Sequence, residues 1–268
     1  KLIFPVDTPL ALSEDDFKEL SLGKNIFSFI EINSTNLYAH QISDNATEGT
    51  LIISELQTAG KGRRGRFWFS PFGKNLYFSI ILKPTLPLQV LTRLTIVIGV
   101  SVADALKKFG IDVKLKWPND IMIDDRKIGG ILSELYSEGD LAKYVILGVG
   151  INVHSEICEF PDEIKDLAGS IYSTTGKKIS RADLLLEIVK VFDKNYNFFI
   201  YNKGELAEFK KRWEEIAFGR DREILITTGE KKEKGKVIGL KDDGALLANI
   251  GGVLKEIYAG EILIETKI

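Results

Sequence analysis

The sequence predicts an α+β protein in which a mixed β-sheet domain with flanking helices is followed by a small β barrel. Three observations carry this. Short apolar runs that read as buried strands alternate with two long helical periodicities. After Gly219 the pattern changes to short strands broken by glycine and aspartate turns. Composition, at 44% hydrophobic and 28% charged over 268 residues, is that of a globular chain with enough apolar material for one large domain and one small one. The expected division is a lead-in segment over 1–24, a sheet domain over 25–218 and the barrel over 219–268.

Element by element, Leu12, Ser13 and Asp16 have the spacing of a staple and capping box, which predicts a short helix through Phe17 and Leu20 ending near Gly23. Asn25 to Ile32 is strand-like. Asn33 and Ser34 offer N-caps for a helix running through Leu37 towards Ile42. Leu51 to Leu56 and Leu76 to Leu82 read as buried strands, and Leu88 to Phe109 as one long apolar helix closed by Gly110. A hairpin follows, with arms Ile121 to Ile123 and Lys127 to Ile128 turning at Asp124-Asp125, then strands at Ile131 to Tyr136 and Tyr144 to Val149. Ser180 caps a helix carrying Leu184, Leu185, Ile188, Val189 and Phe192 at helical spacing, and Glu205 to Ile216 is another. The barrel strands are expected at Glu223 to Thr227, Lys236 to Leu240, Ala245 to Ile250 and Val253 to Tyr258, with the run Lys231-Lys232-Glu233-Lys234 at a solvated hairpin tip.

Charge excludes some functions. With 38 acidic against 36 basic residues, the chain is neither a polybasic nucleic-acid binder nor an acidic tail protein, so any electrostatic site is local. No helix-turn-helix pattern is found, and no specific nucleic-acid binding by this chain is expected. The single cysteine, Cys158, excludes an internal disulfide and fits a reducing cytoplasm. No uninterrupted apolar run of membrane-spanning length and no signal-peptide pattern are present, so no membrane association is expected. The sequence opens on Lys1 rather than Met, which leaves room for a segment upstream.

The most informative stretch is Gln57-Thr58-Ala59-Gly60-Lys61-Gly62-Arg63-Arg64-Gly65-Arg66-Phe67-Trp68. It satisfies a bare G-x-G-x-x-G spelling but not the context of a dinucleotide-binding turn. Phe67-Trp68-Phe69-Ser70-Pro71 stands where a helix should open, and no acidic residue follows about 20 positions on. What remains is a glycine loop with four cations in six residues, in which bare backbone can approach an anion and guanidinium groups can grip phosphate oxygens. A solvated basic turn and a nucleic-acid phosphate patch are the alternatives.

Taken in order, Ser34-Thr35-Asn36, the loop from Gly60 to Arg66 with its trailing Trp68, Lys116-Trp117-Pro118-Asn119-Asp120, Lys127-Ile128-Gly129-Gly130-Ile131-Leu132 and Gly148-Val149-Gly150-Ile151-Asn152 resemble the signature blocks of biotin protein ligases. One departure is Lys61, where the family loop has arginine between the glycines; lysine keeps the charge and loses the fork. The resemblance covers most of 26–152. It implies a sheet domain like that of class II aminoacyl-tRNA synthetases, an SH3-like C-terminal barrel, and a two-step reaction. Biotin and ATP give biotinyl-5′-AMP, and biotin then passes to a lysine of a biotin carboxyl carrier protein, with Mg²⁺ carried on the ATP and no dedicated protein metal site.

Site roles follow from the same resemblance. Lys127 and Arg63 are the expected catalytic cations. Ser34, Thr35, Asn36, Gln57, Gly60, Lys61, Gly62, Arg63, Trp117, Lys127 and Gly130 are expected around biotin, and Arg63, Arg64, Arg66, Trp68, Asn119 and Asn152 around ATP. Asp120 is open between orienting a loop cation and helping to hold Mg²⁺. His40 and His154 read as structural or surface residues. The alternatives are lipoate or octanoate transfer on a related fold, and a ligand-sensing repressor whose DNA-binding domain lies upstream, since residues 1–24 resemble the linker after such a domain. Homodimerisation through the sheet edge is left open.

Overall fold

The computed structural model describes residue 10 and residues 12–139, 141–220 and 222–263; the beginning of the lead-in segment and the last residues of the barrel segment lie outside them. Seven strands form the large sheet: β1 (Ile26–Phe29), β2 (Leu51–Ser54), β3 (Leu76–Leu82), β4 (Lys114–Lys116), β5 (Asp120–Ile123), β6 (Arg126–Glu138) and β7 (Leu141–Ile151). Their spatial order is β1-β2-β3-β7-β6-β5-β4. Only β1 and β2 run parallel; every other neighbour is antiparallel, so the sheet is mixed as expected.

Strand β3 begins and ends where its apolar run does, and all of its residues are buried. On one face lie helices α3 (Leu94–Lys108) and α5 (Arg181–Tyr201), whose stripes, Val97, Val100 and Val102 on one and Leu184, Leu185, Ile188 and Phe192 on the other, merge into the main core. On the other face sits α1 (Thr35–Ile42), capped by Ser34 and closing a smaller cluster with Ile52, Ile81 and Ile146.

Several expectations are corrected. The expected helix after Leu12 is a single 3-10 turn, Glu14–Phe17, with the box between Ser13 and Asp16 intact. Phe17 and Leu22 are buried, and the backbone N–H groups of Ser21 and Leu22 both donate to Asp193 on α5, so this part of the lead-in packs on the domain. The stretch Leu88 to Phe109 is not one helix: α2 (Leu88–Leu91) ends at Thr92 and α3 begins anew. Taken together, Leu88–Lys108 have the length and hydropathy of a membrane span, yet 61% of the most apolar 18 residues there are buried within the fold, and α3 serves as a core helix. The expected hairpin arm at Lys127 and the strand at Ile131 are one strand, β6, with its register shifted opposite Ile121 and Met122.

Helices α4 (Ile171–Thr175) and α6 (Ala207–Glu215) lead to a five-stranded antiparallel sheet of β8 (Ile224–Thr228), β9 (Lys231–Leu240), β10 (Leu246–Ile250), β11 (Val253–Ile257) and β12 (Glu261–Leu263), in the order β11-β10-β9-β8-β12. Lys231 to Lys234 belong to β9 and pair with Leu225 to Thr228, so the expected hairpin tip is strand; the turn sits at Gly229. Strand β12 was not foreseen. This sheet touches the β4 edge of the large one. Trp117 Nε1 donates to Gly244 O at 3.2 Å and Lys116 Nζ to Ile262 O at 3.3 Å.

Candidate active site

A cavity of about 400 Å³ opens on the α1 face of the large sheet. Its floor is bare backbone. Gly130 on β6 pairs with Gly150 on β7, and Leu132 with Gly148, so the alternation of strand faces places Gly130, Gly148 and Gly150 on one side of adjacent strands. Each glycine leaves room for a particular group. A Cβ on Gly150 would lie 2.5 Å from Trp68 Nε1 and 2.6 Å from its Cε2; one on Gly148 would overlap the Asn36 carboxamide, 2.8 Å from Cγ. Gly130 faces the Trp68 ring at 3.2 Å and Lys127 Cε at 3.3 Å, whereas Gly129 faces Ile121 and the Gly150 carbonyl. Only Gly130 of that pair is open to the cavity, because neighbours on a strand point to opposite faces.

The glycine loop folds as a narrow hairpin. Lys61 and Phe67 form an antiparallel bridge, Gly62 N donates to Arg66 O at 2.7 Å, and a 3-10 turn over Arg63–Gly65 makes the tip. Positive φ at Gly65, 72°, suits glycine; Arg64 also takes φ 57°. Trp68 N then donates to Gly60 O at 2.9 Å, and a Cβ at Gly60 would stand 2.6 Å from Trp68 O. Gly60 therefore allows the loop to close and is not itself on the cavity wall.

Charges cluster at one end. Lys127 Nζ lies 2.5 Å from Asp120 Oδ1 and 5.3 Å from the centre of a Trp68 ring, while Lys116 Nζ lies 2.9 Å from the other Asp120 oxygen. Burial pushes the Asp120 carboxyl up, but the two ammonium groups outweigh it and hold it below the usual carboxylate range. The Lys127 backbone is pinned by its N–H to Leu167 O at 2.7 Å and by Gly169 N to its own carbonyl at 3.0 Å. Arg63, half-buried, reaches Asn119 Oδ1 at 3.4 Å; burial lowers its pKa, although a guanidinium stays charged. Arg64 and Arg66 reach Glu261 of β12 at 3.4 and 2.9 Å, and both arginines are exposed, so these pairs add little stability. Arg66 borders the cavity; Arg64 does not.

At the other end is a buried polar corner. Thr35 N donates to Gln57 Oε1 at 2.8 Å, Gln57 Nε2 to Ser70 Oγ at 3.2 Å, and Ser79 Oγ lies 2.7 Å from Thr35 Oγ1 and 2.6 Å from Asn36 Oδ1. The Ser34 hydroxyl accepts from Leu37 N, the capping interaction.

Two polar atoms on the walls are buried without a hydrogen-bond partner among the described residues, Trp68 Nε1 and Asn152 Oδ1. An unmade bond of this kind costs about 1–3 kcal/mol, and a ligand that met either would recover it. Asn152 Nδ2 is committed to Gly169 O at 2.9 Å and Asn119 Nδ2 to Ile131 O at 2.7 Å, so both amides are fixed in place.

The structure thus brings Ser34, Thr35, Asn36, Gln57, Lys61, Gly62, Arg63, Arg66, Trp68, Trp117, Asn119, Lys127, Gly130 and Asn152 to one cavity and leaves Gly60 and Arg64 off its wall. Missed were Lys116, Gly148 and Gly150, the apolar side chains Phe160, Ile164 and Leu167, and Glu261 to Leu263 from the second sheet. Alternate glycines within an apolar strand were the available signal for the floor. The 160–167 segment has no periodicity to reveal it. His40 stacks on Tyr136 with centroids 4.4 Å apart, and His154 Nε2 lies 2.8 Å from Ile179 O; neither histidine is on the wall.

Comparison with known proteins agrees with this architecture. Residues 26–152 match the Biotin/lipoate A/B protein ligase family and residues 221–264 the Biotin protein ligase C terminal domain. The bifunctional ligase/repressor BirA of Bacillus subtilis is 36% identical over 96% of this chain and 80% of its own length. The biotin–[acetyl-CoA-carboxylase] ligase of Paracoccus denitrificans is 26% identical over 86% of this chain and 96% of its own. The biotin protein ligase from Aquifex aeolicus, solved in complex with biotin and ATP, superposes with a TM-score of 0.75 at 35% identity, covering 90% of this chain and 98% of that one. With signature blocks, fold, C-terminal sheet and relatives in accord, the chain belongs to the biotin protein ligase family.

Proposed function

We propose that the cavity binds biotin and ATP side by side, forms biotinyl-5′-AMP, and then presents that anhydride to a lysine of a biotin carboxyl carrier domain. The observation that carries this reading is the arrangement of one continuous cavity with a buried polar corner at one end and a cation cluster at the other, joined by a floor of glycine backbone. In the first step a biotin carboxylate oxygen attacks the α-phosphorus and pyrophosphate leaves. In the second the acceptor amine attacks the acyl carbon, AMP leaves, and the amine gives up a proton. Neither step needs a protein nucleophile.

What the chain supplies is position and charge. Lys127 is assigned to the meeting point of carboxylate and α-phosphate, with Asp120 holding the ammonium until substrate competes for it. Arg63 and Lys61 neutralise the same anions, and Arg66, with Arg64 behind it, faces the outer phosphates. Ser34, Thr35, Asn36 and Gln57 surround the ureido ring, Trp117 stands at the charged end of the cavity beside Lys116 and Asn119 and not at the ureido corner, and Trp68, Asn119 and Asn152 take the nucleotide side. Magnesium arrives with ATP. The division of labour follows the sheets, 25–218 for the chemistry and 219–268 closing one wall through Glu261 to Leu263. A cytoplasmic setting, where ATP is held and thiols stay reduced, belongs to the same proposal.

The test is transfer. With ATP and Mg²⁺, the purified chain should add one biotin to a carrier domain, read by mass, and none when the acceptor lysine is replaced by arginine. Modification by lipoate or octanoate in place of biotin would move the assignment to the sister activity.

A further inference from the structure

We propose that Glu134, a residue off the cavity wall, sets the hydrogen-bond polarity of the ureido corner through Asn36 and Ser79 and is thereby a positioning residue for biotin specificity. The proposal rests on the biotin reading above and deepens it.

The number of available protons fixes this polarity. Asn36 is buried, and its Nδ2 donates to Glu134 Oε2 at 2.6 Å and to Leu132 O at 3.5 Å. A carboxylate and a carbonyl offer only lone pairs, so the orientation of the carboxamide is fixed and Oδ1 must point the other way. It points to the fully buried Ser79, whose Oγ is 2.6 Å away. A carbonyl oxygen has no proton to give, and Ser79 therefore spends its single proton on Asn36. The Ser79 oxygen is also 2.7 Å from Thr35 Oγ1, and two hydroxyl oxygens at that distance need a proton between them. It comes from Thr35.

One contact is left over. Thr35 Oγ1 lies 3.2 Å from Gln57 Oε1, the longest of the three, and Gln57 Oε1 already accepts from Thr35 N at 2.8 Å. With two hydroxyl protons and three contacts, the two short ones are served and the long one is not. At the cavity wall, Thr35 Oγ1 and Gln57 Oε1 then offer lone pairs and no protons. Such a corner takes a ligand edge that carries N–H groups, as the ureido ring does, and rejects an edge that carries acceptors, because buried acceptors facing each other are unsatisfied. Gly148 is part of the device, since a side chain there would expel the Asn36 amide.

Replacing the carboxylate by an amide removes the one-way constraint. A glutamine at this position can accept from Asn36 Nδ2 or donate to Asn36 Oδ1, so both orientations of the Asn36 amide become available, and in the turned one the protons run from Asn36 to Ser79 to Thr35 to Gln57. The lone pairs meant for the ligand are then used up inside the protein.

The experiment compares wild type, Glu134→Gln, Glu134→Asp and Ser79→Ala in biotin-dependent pyrophosphate exchange. Two substrates are used: biotin, and the carbamate analogue in which one ureido N–H is replaced by oxygen. The expected result for Glu134→Gln is a rise in the biotin KM of roughly 10-fold with kcat and the ATP KM nearly unchanged. The wild-type preference for biotin over the carbamate should fall towards unity in Glu134→Gln and in Ser79→Ala, and survive in Glu134→Asp, which keeps the acceptor. A raised KM with the preference intact would mean that Glu134 merely supports the fold and would overturn the proposal. So would Ser79→Ala, which removes only a hydroxyl, retaining the full preference. No exchange with biotin by wild type would instead overturn the underlying assignment.

Discussion

The two faces of the large sheet are built on opposite plans. Towards α3 and α5, strand β7 presents Val145, Leu147 and Val149, filling the main core; towards α1 the same strand presents Gly148 and Gly150 beside Ile146. One face is packed for stability, and the other is emptied so that backbone, Trp68 and Asn36 can approach. A single strand can therefore carry both jobs, because its side chains alternate. Substitutions on the two faces should separate stability from activity.

The sharpest separation is expected at the charged end of the open face. Lys127→Ala should slow adenylate formation by about 10²–10³-fold while the biotin dissociation constant stays within a few-fold, because the ammonium matters most where charge gathers in the transition state. Single-turnover kinetics alongside calorimetric titration would show it, and a variant as fast as wild type would remove Lys127 from the mechanism. Next in size are neighbours on β7. Gly148→Ala should raise the biotin KM at least about 10-fold, since displacing Asn36 breaks the buried polar corner. Leu147→Ala, facing the helices, should cost about 2–5 kcal/mol in denaturant unfolding with the KM of the folded fraction unchanged. Equal effects of both on KM would break the two-face account.

A smaller effect is expected at the loop. Arg63→Gly should release the adenylate early, seen as biotin on bystander lysines of an added protein; labelling confined to the acceptor lysine would count against that role. The smallest concerns acid. The Asp120 carboxyl is held low by Lys127 and Lys116. Its stabilisation is therefore complete above its unfolded value near 4 and fades as pH falls through the lower folded value. Asp120→Asn should lose that pH dependence, so the gap to wild type in unfolding free energy should narrow below about pH 4.

Local features of this molecule were readable before its structure and long-range ones were not. The bounds of β3, the Ser34 cap and the cationic glycine loop all depend on residues close in sequence, and each stands where the sequence put it. The blocks at Ser34, Lys116, Lys127 and Gly148 pointed to one site because they matched a known order, and the sheet brings them together. The seating of Trp68 on Gly150 and the pairing of Arg66 with Glu261 depend on strand order and on how the second sheet docks, across separations that no periodicity reports. The Leu88 to Phe109 stretch was misread as one helix because both pieces are apolar and the break at Thr92 carries neither glycine nor proline.

The measurement closest to the central claim is exchange of labelled pyrophosphate into ATP by the purified chain with Mg²⁺, with biotin, lipoate and octanoate supplied in parallel. Exchange is expected with biotin alone, slowed about 10²–10³-fold in Lys127→Ala. Exchange with lipoate only, or none with any acid, would contradict it.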